Sequence, residues 1–271
     1  MKNNKKDLTT QEQFMRNHQR HHHQISIFRT LILAVFLVAW EISANLGYID
    51  SFFFSSPRRI LTLFIEMCMD YSIFEHIGVT LLETIVSFLL VFFISLLVAT
   101  FLWYSTKLSE VLEPYLVILN SLPKSALAPL FIVWLGTGTT TIIVAGISVA
   151  LFGSIISFYT GFKQADEEKL TLIYTLGGTR RDAFHKVILP GSIPILLSAT
   201  KVNIGLALVG VIIGEFLAAR HGLGYLIIYG SQVFQLNLVI TSIIILCIIA
   251  MAFYKTIQYF EHHIRKKYHL S

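Results

Sequence analysis

Thr84-Ile-Val-Ser-Phe-Leu-Leu-Val-Phe-Phe-Ile-Ser-Leu-Leu-Val-Ala-Thr-Phe-Leu-Trp-Tyr-Ser-Thr106 runs for 23 residues without a charged side chain. As a helix rising 1.5 Å per residue, such a run crosses a hydrocarbon core of about 30 Å. The rest of the chain has the same character. Of 271 residues, 55% are apolar and 14% charged, against about 45–50% and 25% in an ordinary soluble domain. The mean hydropathy of +0.68 excludes a disordered chain. Two cysteines are too few for a disulfide-built scaffold. Cys68 and Cys247 both sit in apolar surroundings and read as small hydrophobic fillers.

Because one charge at mid-helix costs about 2.5–3.5 kcal/mol on insertion scales, charge-free stretches mark the other spans. They predict an all-α membrane protein with six transmembrane helices. The first covers 28–46 and is read as a span rather than a cleaved leader, since Glu41 interrupts its end and no small-x-small site follows. Residues 47–77, with Pro57-Arg58-Arg59 and scattered acids, read as a loop holding a short amphipathic helix. Residues 113–162 contain two spans divided at Gly136-Thr137-Gly138-Thr139-Thr140, the earlier bent by Pro123 and Pro129. A fifth covers 192–218 and a sixth 236–254. The expected organisation is a basic tail over 1–27, a six-helix membrane body over 28–257 with a polar loop at 163–190, and a second basic tail over 258–271.

Six spans put both ends on one side. Placing the termini, the 105–110 connector and the 163–190 loop together gathers sixteen of the twenty-one Lys and Arg residues, and leaves Arg58, Arg59 and Arg220 opposite. The positive-inside rule then predicts cytoplasmic termini in a multi-pass protein of the cell membrane. The basic tails suit anionic lipid rather than nucleic acid. His18, His21, His22 and His23 have no acidic or cysteine companion and read as a hydrated end, not a metal site.

The 163–190 loop reads as helix, turn, helix. Residues 166–176, ending at Leu176, have helical composition; Gly177-Gly178 stops that helix and permits a left-handed turn. Thr179 caps a second helix over 179–187. That helix exposes Arg180, Arg181, Asp182 and Lys186 and offers Ala183, Phe184 and Val187 as an apolar face, with Pro190 ending it. Such a knob either docks a partner or is a solvated connector.

With Gly177, Val187, Leu189 and Pro190 in place, the loop resembles the EAA loop of binding-protein-dependent ABC importer permeases, although Thr171-Leu172-Ile173 stands where that loop has Glu-Ala-Ala. Thr175-Leu176-Gly177 matches the nitrate/sulfonate/taurine branch, as do Ser55-Ser56-Pro57, Leu122-Pro123-Lys124 through Pro129-Leu130, and Glu215 before Gly222-Leu223-Gly224. The resemblance covers residues 35–260. It implies a type I importer permease fold, a homodimer around a translocation path, an external solute-binding protein, and an ATPase subunit docked on a coupling helix within 178–186. Leu176, Gly177, Gly178, Thr179, Arg180, Arg181, Asp182, Ala183, Phe184, Leu189 and Pro190 would make up the coupling segment. No cofactor is expected in this chain, which lacks a Gly-x-x-x-x-Gly-Lys-[Ser/Thr] phosphate loop. ATP would be bound, and hydrolysed, by the partner.

Four residues are candidates for the path. Lys201, about 15 Å into the fifth span, should face the interior or a wet passage. It either complements an anionic solute or pairs with a carbonyl or carboxylate. Glu215, near the outer surface, is a gate or binding-protein contact or an ordinary interfacial carboxylate. Pro123 and Pro129 free backbone carbonyls, which favours a path-lining span over simple bending. A self-sufficient secondary transporter is the alternative. It would need ion-coupling residues in the spans, and only Lys201, with Glu41 and Glu215 near span ends, is available. A membrane enzyme would need an acid/base pair at depth, and Glu83 and Lys124 look isolated.

Overall fold

The computed structural model describes residues 10–267, and side chains from Gln24 to Lys266 except Ser26 and Ser51. The helices are α1 (Thr10–Asn45), α2 (Ser51–Phe54), α3 (Pro57–Met69), α4 (Ser72–Tyr104), α5 (Thr106–Ser121), α6 (Lys124–Leu135), α7 (Thr139–Lys163), α8 (Glu167–Thr175), α9 (Arg180–Ala183), α10 (Leu189–Ala218), α11 (Leu223–Gln232) and α12 (Leu236–Lys267). A wide π-type turn, Phe184–Ile188, joins α9 to α10. Among the described residues five segments are long and apolar enough to cross a membrane, and a sixth if α5 and α6, bent by 93°, count as one broken span. The chain divides into two compact units, residues 1–62 and 63–271.

In the first unit the turns after α1 are fixed by local carboxylates. Asp50 accepts from the Phe52 N–H at 2.8 Å and caps α2. Glu41 accepts from the Arg58 N–H at 3.0 Å and from Asn45 at 3.2 Å. Pro57 begins α3, where its missing N–H costs nothing. The interrupting acid of the first span is therefore a clasp on the chain that follows it.

The second unit is built around α7, which packs against both α4 and α10, themselves in contact. Small polar side chains stitch these helices together, as expected where apolar burial gives no preference for helix over lipid. Asn203 donates to Ser154 Oγ at 2.7 Å, Ser192 to the Gly161 carbonyl at 3.0 Å and Ser87 to the Ile143 carbonyl at 3.3 Å. At Gly210 the two backbones touch: a Cβ there would lie 2.8 Å from the Ala145 carbonyl oxygen and from Gly146 Cα. The inner part of α3, with Phe64, Met67 and Cys68, packs on Ile73, Leu223 and Leu246.

Proline acts differently from expectation at two places. Pro123 makes the break between α5 and α6, with Leu122 held extended before it, whereas Pro129 sits inside an uninterrupted α6. The carbonyls of Leu119 and Asn120 at the break accept from Lys124 Nζ, the former at 2.7 Å. Lys124 thus caps the end of α5 rather than standing alone. Removing this ammonium in Lys124→Met should cost about 1.5–3 kcal/mol, the worth of hydrogen bonds to a charged donor. Faster protease cleavage at Leu122 in detergent would show it.

Pro190 does not end a helix. The backbone stays helical through Phe184, Ile188 and Leu189, and α9, the wide turn and α10 form one rod to Ala218. The reason is the π-type turn: the Leu189 N–H reaches the Phe184 carbonyl, five residues back. This shift in the ladder falls where proline cannot donate, so its ring is absorbed without a break. The second helix of the loop is accordingly the four-residue α9 and not a free segment over 179–187.

Candidate functional site: the α8–α9 knob and the opposite end of the bundle

At one end of the bundle the chain leaves α7, forms α8 and returns through α9. Asp166 caps α8, accepting from the Glu168 and Lys169 N–H groups at 3.0 and 3.4 Å. A hydrogen bond from the Lys169 side chain, with these backbone bonds, holds the Asp166 carboxyl below the usual carboxylate range. Gly177 closes the helix at φ +79°. Its N–H bonds to the Tyr174 carbonyl at 3.0 Å, and that of Gly178 to the Ile173 carbonyl at 2.9 Å, the paired closure that requires a left-handed residue. Thr179 and Asp182 then cap α9 reciprocally: the Asp182 N–H donates to Thr179 Oγ1 at 3.3 Å and the Thr179 N–H to Asp182 Oδ2 at 2.9 Å.

The knob is bolted to the spans from two sides. Arg180 donates to the Trp103 carbonyl at 3.0 Å and lies over the Trp103 ring. Phe184 is buried against Trp103, Tyr104 and Phe162, from the ends of α4 and α7. Ala183 is buried as well. The apolar face expected to be offered by the second helix is thus turned inward as the anchor. The surface left free belongs to α8 and the turn, where Leu172, Tyr174 and Leu176 are exposed beside Arg181. Leu189 and Pro190 are half-buried at the start of the long rod. The residues expected to make up a coupling segment therefore lie together in one anchored feature.

The path candidates scatter. Lys201 makes an ion pair with Glu261 of α12, which also holds Arg265 at 3.3 Å, and lies near the Tyr254 ring. Of its two sequence readings, the structure realises the carboxylate pair. Pro123 and Pro129 are both exposed. Glu215 is buried at the end opposite the knob, where it accepts from Thr80 Oγ1 at 2.6 Å and the Gly224 N–H at 2.5 Å. Thr80 in turn accepts from the Leu223 N–H at 2.8 Å, and His76 Nδ1 from the Gly222 N–H at 3.0 Å. Gly222, at φ +116°, brings the chain over the carboxylate so closely that a Cβ would fall 2.5 Å from it. Glu215 is a latch between α4, α10 and the turn into α11.

Thr80→Val tests that latch. The Leu223 N–H would lose its acceptor and Glu215 one donor, a cost of about 1–3 kcal/mol. Hydrogen–deuterium exchange at Leu223 should accelerate by about tenfold or more, the ratio that corresponds to about 1.4 kcal/mol.

Sequence reasoning missed Glu83. Its side chain is buried next to Glu215 and the Thr139 hydroxyl, and neither oxygen makes a hydrogen bond of good geometry among the described residues. No signal in the linear pattern could have paired residues so far apart. Among the described residues no group of three or more His, Cys, Asp or Glu side chains is placed to hold a metal. The side chains of the amino-terminal histidine cluster lie outside those described.

A bundle of long apolar helices, a broken span and an anchored knob at one end mark an integral membrane protein. The chain belongs to the family of binding-protein-dependent transport system inner membrane components, whose pattern it matches over residues 91–266. It is 31% identical over 233 residues to a probable ABC transporter permease of Haemophilus influenzae, covering 86% of this chain and 94% of that protein. It is similar to the formylaminopyrimidine transport permease ThiX of Halalkalibacterium halodurans (28% over 196 residues, 72% of this chain and 78% of that one). It is also similar to the taurine transport permease TauC of Escherichia coli (25% over 224 residues, 80% and 81%). A chain of the inward-facing methionine transporter MetNI superposes with a TM-score of 0.63 at 21% identity, over 74% of this chain and 97% of that one. The fold is that of a type I importer permease.

Proposed function

We propose that two copies of this chain form the translocation path of an importer in which a separate ATPase docks on residues 178–186 and the adjoining face of α8. An external solute-binding protein delivers the cargo, both termini are cytoplasmic, and all nucleotide is held by the ATPase. The observation that carries this reading is the anchoring of the knob. Leu172, Tyr174 and Leu176 present an apolar surface to a partner, while Arg180 and Phe184 join that surface to the ends of α4 and α7 and, through the continuous rod, to α10. A push on the knob is passed to three spans at once, which is rigid-body switching between packed arrangements. The exposed Pro123 and Pro129, on the broken α5–α6 arm, would line the translocation path.

The cargo is a small solute, a sulfonate-, taurine- or nitrate-like anion or a pyrimidine vitamin precursor; sulfonates, taurine and formylaminopyrimidine are among the solutes named for similar permeases. Lys201 lends the anions no particular support, because Glu261 neutralises it. Proteoliposomes carrying the chain, its ATPase and the binding protein should accumulate labelled solute only with ATP and with all three components present. Accumulation by the chain alone would overturn the proposal in favour of a self-sufficient secondary transporter.

A further inference from the structure

Two glutamates from different helices meet at the end of the bundle opposite the knob. Glu83 follows Thr80 by three residues on α4, so the two share a helix face, and Thr80 is bonded to Glu215 at 2.6 Å. The Glu83 side chain accordingly contacts the Glu215 carboxyl as well as the Thr139 hydroxyl. Both glutamates are 1% exposed. Among the described residues neither takes part in an ion pair.

The other titratable groups at this end are committed elsewhere or face water. Glu75 and His221 hold each other at 3.1 Å in exposed positions, and Arg220 is exposed too. His76 accepts from the Gly222 N–H and stacks on Tyr225. The lone charge of α7, Lys163, stands at its knob end, and α11 carries none. Farther off, Lys201 of α10 is paired with Glu261 and Lys124 of α6 with the carbonyls that end α5. No countercharge is left for the pair.

Carboxyl groups buried side by side without a cation cannot both be ionised. As anions they can also only accept, so neither satisfies the other, and the Glu83 oxygens have no donor of good geometry. One proton resolves both difficulties, and the donors already present say where it sits. Glu215 accepts from Thr80 Oγ1 and from the Gly224 N–H, which suits an anion. Glu83 has no such pair of donors and is the group to carry the proton. We propose that Glu83 and Glu215 hold one proton between them, carried by Glu83 and donated to Glu215, and that this proton keeps the Gly222-Leu223-Gly224 turn latched on α4. Hydrogen bonds of this O–H···O⁻ kind are short and strong. The turn hangs on the pair directly, through Gly224, and through Thr80, which accepts from the Leu223 N–H. Once the proton has left to solvent, two like charges face each other beneath the turn, and the turn opens. This pH-operated latch goes beyond the transport reading and does not rest on it.

The test pairs two measurements on the detergent-purified full-length chain. Infrared spectra at neutral pH should show the carbonyl stretch of a protonated carboxyl in the wild type and lose it in Glu83→Gln. Hydrogen exchange at Leu223 and Gly224, corrected for the intrinsic pH dependence of exchange, then reads the latch. In the wild type, protection should fall by about tenfold or more as rising pH removes the infrared band, a ratio that corresponds to about 1.4 kcal/mol. In Glu83→Gln the neutral amide still donates to Glu215, so protection should hold over the same range. His76 cannot imitate this result, because an imidazole that loses a proton on the same rise still accepts from Gly222. No carboxyl band in the neutral wild type would overturn the proposal. So would protection that ignores the band, protection that falls equally in both proteins, or a band and protection both unchanged up to about pH 10, where lysine begins to titrate.

Discussion

Replacing Gly177 with valine is expected to abolish ATP-driven uptake while the chain remains in the membrane at its normal abundance. Packing plays no part in this effect, because a Cβ built on Gly177 meets nothing within 4 Å. The cost is conformational. Gly177 stands at φ +79°, where an L-residue pays about 1–2 kcal/mol and a β-branched one more. That is a shift of about 5–30-fold in the population of the turn. Relief comes by rotating residue 177 into the right-handed region, which breaks the bonds from Gly177 to Tyr174 and from Gly178 to Ile173. It also re-aims α9 away from Trp103. Asparagine tolerates the left-handed region, so Gly177→Asn should retain most uptake. The check is uptake alongside co-purification of the ATPase: both should fall together in the valine variant and recover together in the asparagine one. Valine-variant uptake equal to wild type would mean that the knob does not transmit the stroke.

The knob was largely legible from its own residues. Gly177-Gly178 and Thr179 are local signals, each acting within three or four positions of itself, and the structure uses them as helix stop and cap; Asp182, read only as an exposed charge, proves to be the reciprocal half of that cap. The spans were legible as apolar runs but their ends were not. Thr84 begins the charge-free run, yet α4 starts at Ser72, because hydropathy reports what lipid tolerates while helical hydrogen bonding continues through Glu75 and Glu83. The same holds for α12, expected to 254 and continuing to Lys267. Pro190 misled because a proline stops a helix only if the ladder cannot shift, and here a wide turn shifts it. Glu83 and Lys201 misled for another reason. Their meaning depends on partners in other helices, Glu215 and Glu261, and no periodicity encodes which helix faces which.

Close approach of α7 and α10 predicts stability effects of opposite sign at two glycines on one helix. In Gly210→Ala the new Cβ would stand 2.8 Å from the Ala145 carbonyl oxygen and from Gly146 Cα, both backbone atoms that cannot swing aside. The helices must separate, and overpacking of this kind costs about 1–3 kcal/mol. The bonds from Asn203 to Ser154 and from Ser192 to Gly161 lie along the same seam and would lengthen with it, so the loss should fall toward the upper end. Gly205, five residues earlier, faces open space, with nothing within 4 Å of a built Cβ. There alanine only removes glycine's excess freedom in a helix, a gain of about 0.5–1 kcal/mol. Melting midpoints of the detergent-purified chains should therefore move down for Gly210→Ala and up for Gly205→Ala. Equal downward shifts would mean that glycine is needed for flexibility along α10 rather than for contact. Such a result would also undo the picture of α7 and α10 as one packed body through which a push on the knob is carried.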